Sequence, residues 1–460
     1  MTPIDPSTVV PIPAPFWFVS FFKTLGFVLH LVPMHIWLAG IPIALFFFLC
    51  GGPNAKTCSR RFFCQLPFFM AFGINLGIVP LLFVQVGYPW AFYPATILTA
   101  WHWFSVIPLT LLAYALVYLT VSHVKKGGRW APLLTGMVAS LALAAVGLIF
   151  TANWTLMTDT ASWHEIWEKS SVASAVTGLG TAWNKTVFIR FSQTFALSLL
   201  TFSCWVLFDA FFFYKQEQSD EKSDDVSSGV SVKQKSEPVT KYYERLEDNP
   251  EFKKLPQNKR DDLLRKQKRG QLSRDEKEQY LTYTEMEEII EEEYEEIAEE
   301  SADSEFPVAE NYPEWMRRFA LCLQWFGLFI AAGLLWYYYF KELPLDTETM
   351  APVLQTGVRH LLTAVLVSLG IFTLVSIFAL FGKLRGRSLA CALFGADLLV
   401  ISLWSIARQV IQNAQLKNYL DVSMIPQQVE WSPLIIFLIT FVLGAGVVGY
   451  LVNKAIQANT

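Results

Sequence analysis

The chain has 460 residues, of which 53% are hydrophobic, 15% aromatic and 17% charged, with a formal net charge of −4 and a mean hydropathy of +0.36. Soluble proteins of this length carry about 25% charged residues, so the composition excludes an ordinary cytosolic enzyme. The average also conceals two regimes: Lys215 to Arg318 holds 29 acidic and 18 basic residues, a net of −11, while the other 356 positions hold 11 acidic and 18 basic, a net of +7.

The first stretch, Met1 to Pro15, has no basic residue ahead of its apolar run and does not read as a cleavable signal peptide. Apolar runs long enough to cross a bilayer, which takes about 20 helical residues, then recur. They fall at 22–49, 62–87, 95–122, 131–154, 187–214, 317–340, 352–382, 388–411 and 433–453. The predicted fold class is therefore all-α, a polytopic helical membrane protein with about nine transmembrane helices. Basic residues concentrate in alternate short loops: Lys56, Arg60 and Arg61; Lys125, Lys126 and Arg129; Lys383, Arg385 and Arg387. Because such loops stay on the cytoplasmic side, the N-terminus is expected outside and the C-terminus inside.

This divides the chain into helices one to five (1–214), a charged cytoplasmic insert (215–316) and helices six to nine (317–460). The insert opens with Gln216 to Thr240, too polar to bury a core and so expected to be disordered. A helix is expected over 271–306, where Gly and Pro are absent. Its Glu-rich part, Glu285 to Glu300, reads as a solvated acidic face, or else as a docking surface for a cytoplasmic partner. Six cysteines contain no C-x-x-C, which disfavours covalent c-type haem and four-cysteine metal sites, and reduced thiols are the default reading. No nucleic-acid partner is expected.

Only six histidines occur, and ionisable groups within a membrane usually mark ligands or ion pathways. On the predicted topology His30, His102 and His360 sit in the outer parts of helices one, three and seven. His35 lies deeper, His164 is in an outer loop and His123 is cytoplasmic. Imidazole is a common axial ligand of b-type haem, so His30, His360 and His102 are the candidate iron ligands, with His35 and His164 weaker. The alternative for each is a hydrogen-bonded interfacial or buried imidazole. His30 and His35 are about 140° apart on a helix and would not face one ion. Arg359 and Arg190 are placed to neutralise haem carboxylates. Asp397 and Arg408 share a helix face about 16 Å apart, so each needs a partner on another helix. The tryptophans Trp154, Trp163, Trp167 and Trp183 read first as an aromatic belt.

Phe72-Gly73-Ile74-Asn75, followed by Gln85-x-Gly87-x-x-Trp90-Ala91-x-Tyr93, resembles the second helix and following loop of the large subunit of cytochrome bd quinol oxidases. His30 with Gly40 is similar to that family's first helix, which carries a haem-ligating histidine. Asn153 with Met157, and Arg408-Gln409, resemble further stretches of the same subunit, whose layout is also nine helices with the N-terminus outside. The resemblance implies b haem, a quinol substrate, a companion membrane subunit or cytochrome, and a bacterial inner-membrane location.

Departures from the family pattern qualify the activity. The region matching the ligand histidine of helix five reads Arg190-Phe191-Ser192-Gln193, and the ligand methionine is replaced in Arg359-His360-Leu361. Ala95 to Ser122 has no acidic residue where the family has two glutamates, and the outer quinol loop is reduced to about 341–351. The expected function is a b-type haem electron-transfer subunit that oxidises quinol and passes electrons to another haem protein or reductase. The alternatives are an oxygen reductase with rearranged ligands and a haem-free scaffold or transporter.

Overall fold

A computed structural model describes residues 4–126, 130–172, 175–176, 183–214, 256–268, 311–338, 352–382, 386–417 and 419–458. They belong to two compact units, Met1–Gln216 together with Pro307–Thr460, and Glu217–Phe306. The larger unit begins with α1 (Phe16–Cys50), α2 (Pro53–Gly87), α3 (Pro89–Lys125), α4 (Ala131–Thr158), a short α5 (Trp163–Ser170) and α6 (Lys185–Phe208). In the smaller unit the described residues form one helix, α7 (Gln257–Lys268), in a stretch for which the sequence predicted no helix. The larger unit resumes with α8 (Tyr312–Tyr337), α9 (Pro352–Leu380), α10 (Gly386–Leu416) and α11 (Trp431–Ala458). The disorder expected over 216–240, the helix expected over 271–306 and the loop 341–351 lie outside the described residues.

Eight helices, α1 to α4, α6 and α8 to α10, are long and apolar enough to cross a membrane, and α11 carries a shorter described apolar run, Trp431–Val447. The chain is thus an all-α polytopic membrane protein. The one sheet among the described residues is a two-residue hairpin, Ser171–Val172 against Ala175–Val176.

Proline sets the helix starts. It stands in the first turn of α2, α3, α4 and α8, where its missing N–H has no helical acceptor to lose. Gly51-Gly52 and the single residue Tyr88 are the whole connections on either side of α2, so α1, α2 and α3 are antiparallel neighbours. The helices overrun the predicted apolar segments. α1 has 35 residues, about 52 Å at helical rise, whereas a hydrocarbon core is about 30 Å thick. Its start at Phe16 places His30 about four turns inside the helix, near its middle rather than near its end. α3 is broken at Ala100, whose φ of 40° is left-handed, two residues before His102.

Two apolar clusters hold the bundle together. The larger one is built mainly from α1, α2, α6, α8, α9 and α10, with Phe63, Phe202 and Phe372 fully buried. The smaller gathers the start of α1, the α2–α3 turn and the ends of α4 and α10 around Val19, Tyr88 and Met157. At that second end the N-terminal segment is strapped to the α10–α11 connection. Ile12 N donates to Pro426 O, Gln428 N to Ile12 O and Ile4 N to Tyr419 O, each at 2.9 Å.

At the opposite end Arg61 of α2 grips Asp209, just past α6, through two bonds of 2.8 Å. Gln65 Nε2 adds a bond to the same carboxylate, and Trp205 Nε1 donates to Gln65 Oε1 at 3.0 Å. Asp209 is 4% exposed and Arg61 is partly buried, so this ion pair, with its carboxylate buried, ties α2 to α6.

Candidate functional site

On α1 the residues Lys23, Phe27, His30 and Met34 recur at three- and four-residue spacing and so form one stripe. The same spacing aligns Ser405, Arg408, Gln409 and Gln412 on α10, and Val146, Phe150 and Asn153 on α4. These stripes, with parts of α2, α3 and α6, enclose a cavity of about 430 Å³ within the membrane-spanning bundle. Its wall is mostly apolar. Ile78 of α2 and Ile107 and Leu111 of α3 line it and are also exposed, so the cavity opens sideways between α2 and α3 onto the surface that faces lipid.

His30 is held by the backbone of α2: its Nδ1 lies 2.7 Å from the carbonyl oxygen of Gly73. A carbonyl only accepts, so Nδ1 carries the proton and Nε2 keeps the lone pair. Glycines make this approach possible. A Cβ on Gly77 would lie 2.8 Å from His30 Nδ1 and Cε1, and one on Gly73 would lie 2.1 Å from the Trp37 ring. The Gly73-x-x-x-Gly77 spacing therefore receives Trp37 and His30, the two side chains of α1 that bracket the cavity.

The polar pole lies at the end nearer the α2–α3 turn. Lys23 is 3% exposed, donates to Gln412 Oε1 at 2.9 Å, and sits 4.1 Å from the centroid of the Tyr88 ring. The Arg408 guanidinium stands 4.6 Å from the Phe27 ring and 4.7 Å from the Trp154 ring. Tyr88 in turn donates to Asn413 Oδ1 at 2.6 Å and accepts from Gln409 Nε2 at 2.6 Å. Adjoining the main cavity is a small polar pocket of about 50 Å³ lined by Arg190, Arg408, Gln412 and Trp154. Arg190 bonds Thr155 Oγ1 at 3.2 Å and Tyr338 OH at 3.1 Å. Among the described residues no carboxylate forms an ion pair with Lys23, Arg190 or Arg408. Two buried donors at this pole, Trp154 Nε1 and Gln412 Nε2, have no hydrogen-bond partner.

The predicted site residues divide accordingly. His30 and Arg190 reach the cavity and its polar annex. His35 is fully buried behind the wall, with Nδ1 3.0 Å from Thr201 Oγ1. His102 is half-buried against Trp183, at 5.4 Å between ring centroids, and its neighbour Trp103 lines the cavity instead. Arg359 and His360 are exposed on α9, a helix that contributes no lining residue among those described. His164 is exposed and pairs with Glu168 at 3.2 Å.

The partners expected for Arg408 on other helices prove to be aromatic, Phe27 and Trp154, and Asp397 lies beside Thr201 of α6. Trp154 is not part of an interfacial belt, because its ring packs between the buried cations. Lys23 is the participant that sequence reasoning missed. Its signal was a lysine beside an apolar run with no acidic residue near it in sequence.

No protein family, curated protein or solved structure matches this chain.

Proposed function

We propose that this protein is a b-type haem electron-transfer subunit of a respiratory complex in the bacterial inner membrane, of the cytochrome bd kind, with haem held in the α1–α4–α10 cavity. One observation carries the reading: a histidine with a fixed Nδ1–H and a free Nε2 stands on the wall of an apolar cavity whose polar pole has buried cations and, among the described residues, no acidic partner. The donor set suits the group. A second-shell acceptor that fixes the tautomer is the usual setting of a ligating histidine, and Lys23, Arg408 and Arg190 with the unpartnered Trp154 and Gln412 donors match two carboxylates. The volume lies within the range of about 300–1,000 Å³ typical of ligand pockets. Haem bound there supplies reversible one-electron transfer at iron, at a potential tuned by its axial ligand and surroundings.

This chain's residues hold, orient and insulate. His30 would hold the iron through Nε2, Gly73 and Gly77 set its position, and the Phe and Trp side chains of the wall would keep water away. The opening between α2 and α3 gives a lipid-soluble quinol a route from the hydrocarbon. His360, Arg359 and His102 belong to a second ligand set only if another subunit completes it, so His30 is the assignment we put forward.

A second reading has its own support. The same apolar chamber with cations at one end and a lateral opening fits an anionic amphiphile, and a haem-free carrier would use it without His30. The absorption spectrum of the protein purified after expression with haem supplied separates them: a reduced b-type band supports the haem reading, and a colourless preparation supports the carrier.

A further inference from the structure

Behind the cavity wall, away from the proposed haem site, lies a second group of buried polar side chains. His35 on α1 is 0% exposed and Asp397 on α10 is 1% exposed. Both carboxylate oxygens of Asp397 and the Nε2 of His35 are buried without a hydrogen-bond partner. His35 Nδ1 is 3.0 Å from Thr201 Oγ1, and the Asp397 carboxyl is near the same hydroxyl without forming a hydrogen bond to it.

The polar line continues beyond Asp397. Cys204 is its electrostatic neighbour on α6, Gln324 Nε2 of α8 is 3.9 Å from Cys204 Sγ, and Ser376 Oγ of α9 donates to Gln324 Oε1 at 3.0 Å. All three are buried. The neighbours of Asp397 on α6 are Thr201 and the titratable Cys204, and His35 of α1 reaches the same Thr201 hydroxyl. Among the described residues no cation pairs with Asp397.

A carboxylate in hydrocarbon without a cation or donors is strongly disfavoured, and ionisable side chains inside a membrane usually serve ion or proton pathways. A bound proton cancels the charge and gives the carboxyl an O–H that can donate to Thr201. We propose that Asp397 is a reversible proton-binding site in the core of the bundle, with Thr201 as the bridge over which its proton passes toward His35. In that step the Thr201 hydroxyl, which donates to Leu197 O at 3.3 Å, turns to an unprotonated His35 Nδ1 and gives it a proton while Asp397 O–H gives its own to Thr201 Oγ. The carboxyl loses one proton, the imidazole gains one, and the hydroxyl is unchanged.

The test of this site does not depend on haem. Infrared spectra of the full chain in lipid vesicles, recorded across pH and after transfer to D₂O, report protonated carboxyl groups by their C=O stretch. The expected result is a deuterium-sensitive carboxyl band that diminishes as pH rises and is lost in Asp397→Asn. Thr201→Val should retain the band but exchange its deuterium several-fold more slowly. Absence of a pH-dependent carboxyl band in the unmodified protein, or its persistence in Asp397→Asn, overturns the proposal. Unchanged exchange in Thr201→Val overturns the bridging role.

Discussion

The Nδ1 of His30 bonds the main-chain oxygen of Gly73 at 2.7 Å, so the imidazole is positioned by the backbone of a neighbouring helix rather than by a side chain. Backbone acceptors move only with the helix that carries them. The orientation of His30 therefore depends on how closely α1 and α2 pack, and that distance is set by Gly73 and Gly77.

Adding a methyl group at these glycines should part the helices. Gly73→Ala places Cβ 2.1 Å from the buried Trp37 ring, and Gly77→Ala places it 2.8 Å from the imidazole. Overpacking of this kind costs about 1–3 kcal/mol, with Gly73 at the upper end because its added Cβ makes the closer approach. Gly395→Ala, with open space around its Cβ, should instead be neutral or gain up to about 1 kcal/mol from helix propensity. Thermal unfolding of the three variants in detergent ranks them, and equal melting temperatures would contradict the close-packing account.

Lys23 should show opposite effects on the empty and the loaded protein. Its ammonium is buried with a glutamine and aromatic rings but no carboxylate among the described residues. Lys23→Met removes a buried charge from the empty protein, which should then melt at higher temperature. The same change removes a partner for an anionic group, so ligand retention through purification should fall. A variant that lowers both, or neither, contradicts the role given to this lysine.

The Arg61–Asp209 pair makes a separate structural prediction. Removing one partner of a buried ion pair leaves an uncompensated charge and costs about 3–5 kcal/mol. Arg61→Ala should therefore destabilise strongly, and Arg61→Ala with Asp209→Asn should recover much of the loss. Unfolding curves for the single and double variants provide the check. Additive losses would show that the pair is not coupled.

Access to the cavity should be sensitive to the lipid-facing opening. Ile107 is 67% exposed while lining the cavity, so Ile107→Trp should narrow the entrance without disturbing the interior. The rate at which added quinol reduces the purified protein should drop several-fold, with the spectrum unchanged. An unaltered rate would place the entrance elsewhere.

Hydropathy alone made the spanning helices legible, because a bilayer demands long apolar runs whatever their function. Their ends were less so. α1 begins at Phe16 rather than at 22, since aromatic residues at an interface continue a helix as readily as aliphatic ones within the bilayer. The insert helix α7 escaped notice because a largely charged segment shows little hydrophobic periodicity.

In the site, Arg190 and Arg408 could be flagged as intramembrane charges, but their partners could not, since cation–aromatic contacts leave no complementary charge to find in the sequence. Lys23 stands at the edge of the predicted run 22–49, whereas α1 begins seven residues before it and carries it into the bundle. His360 and His30 had been matched by predicted depth. Depth says nothing of which way a helix turns its side chain, and α9 turns His360 outward.

The proposed haem site rests on His30 and not on His360. Haem per chain, measured by pyridine haemochromogen assay on His30→Ala and His360→Ala purified side by side, tests it most directly. His30→Ala should lose most of its haem while His360→Ala keeps the content of the unmodified protein. Full haem in His30→Ala, or its loss only in His360→Ala, would contradict it.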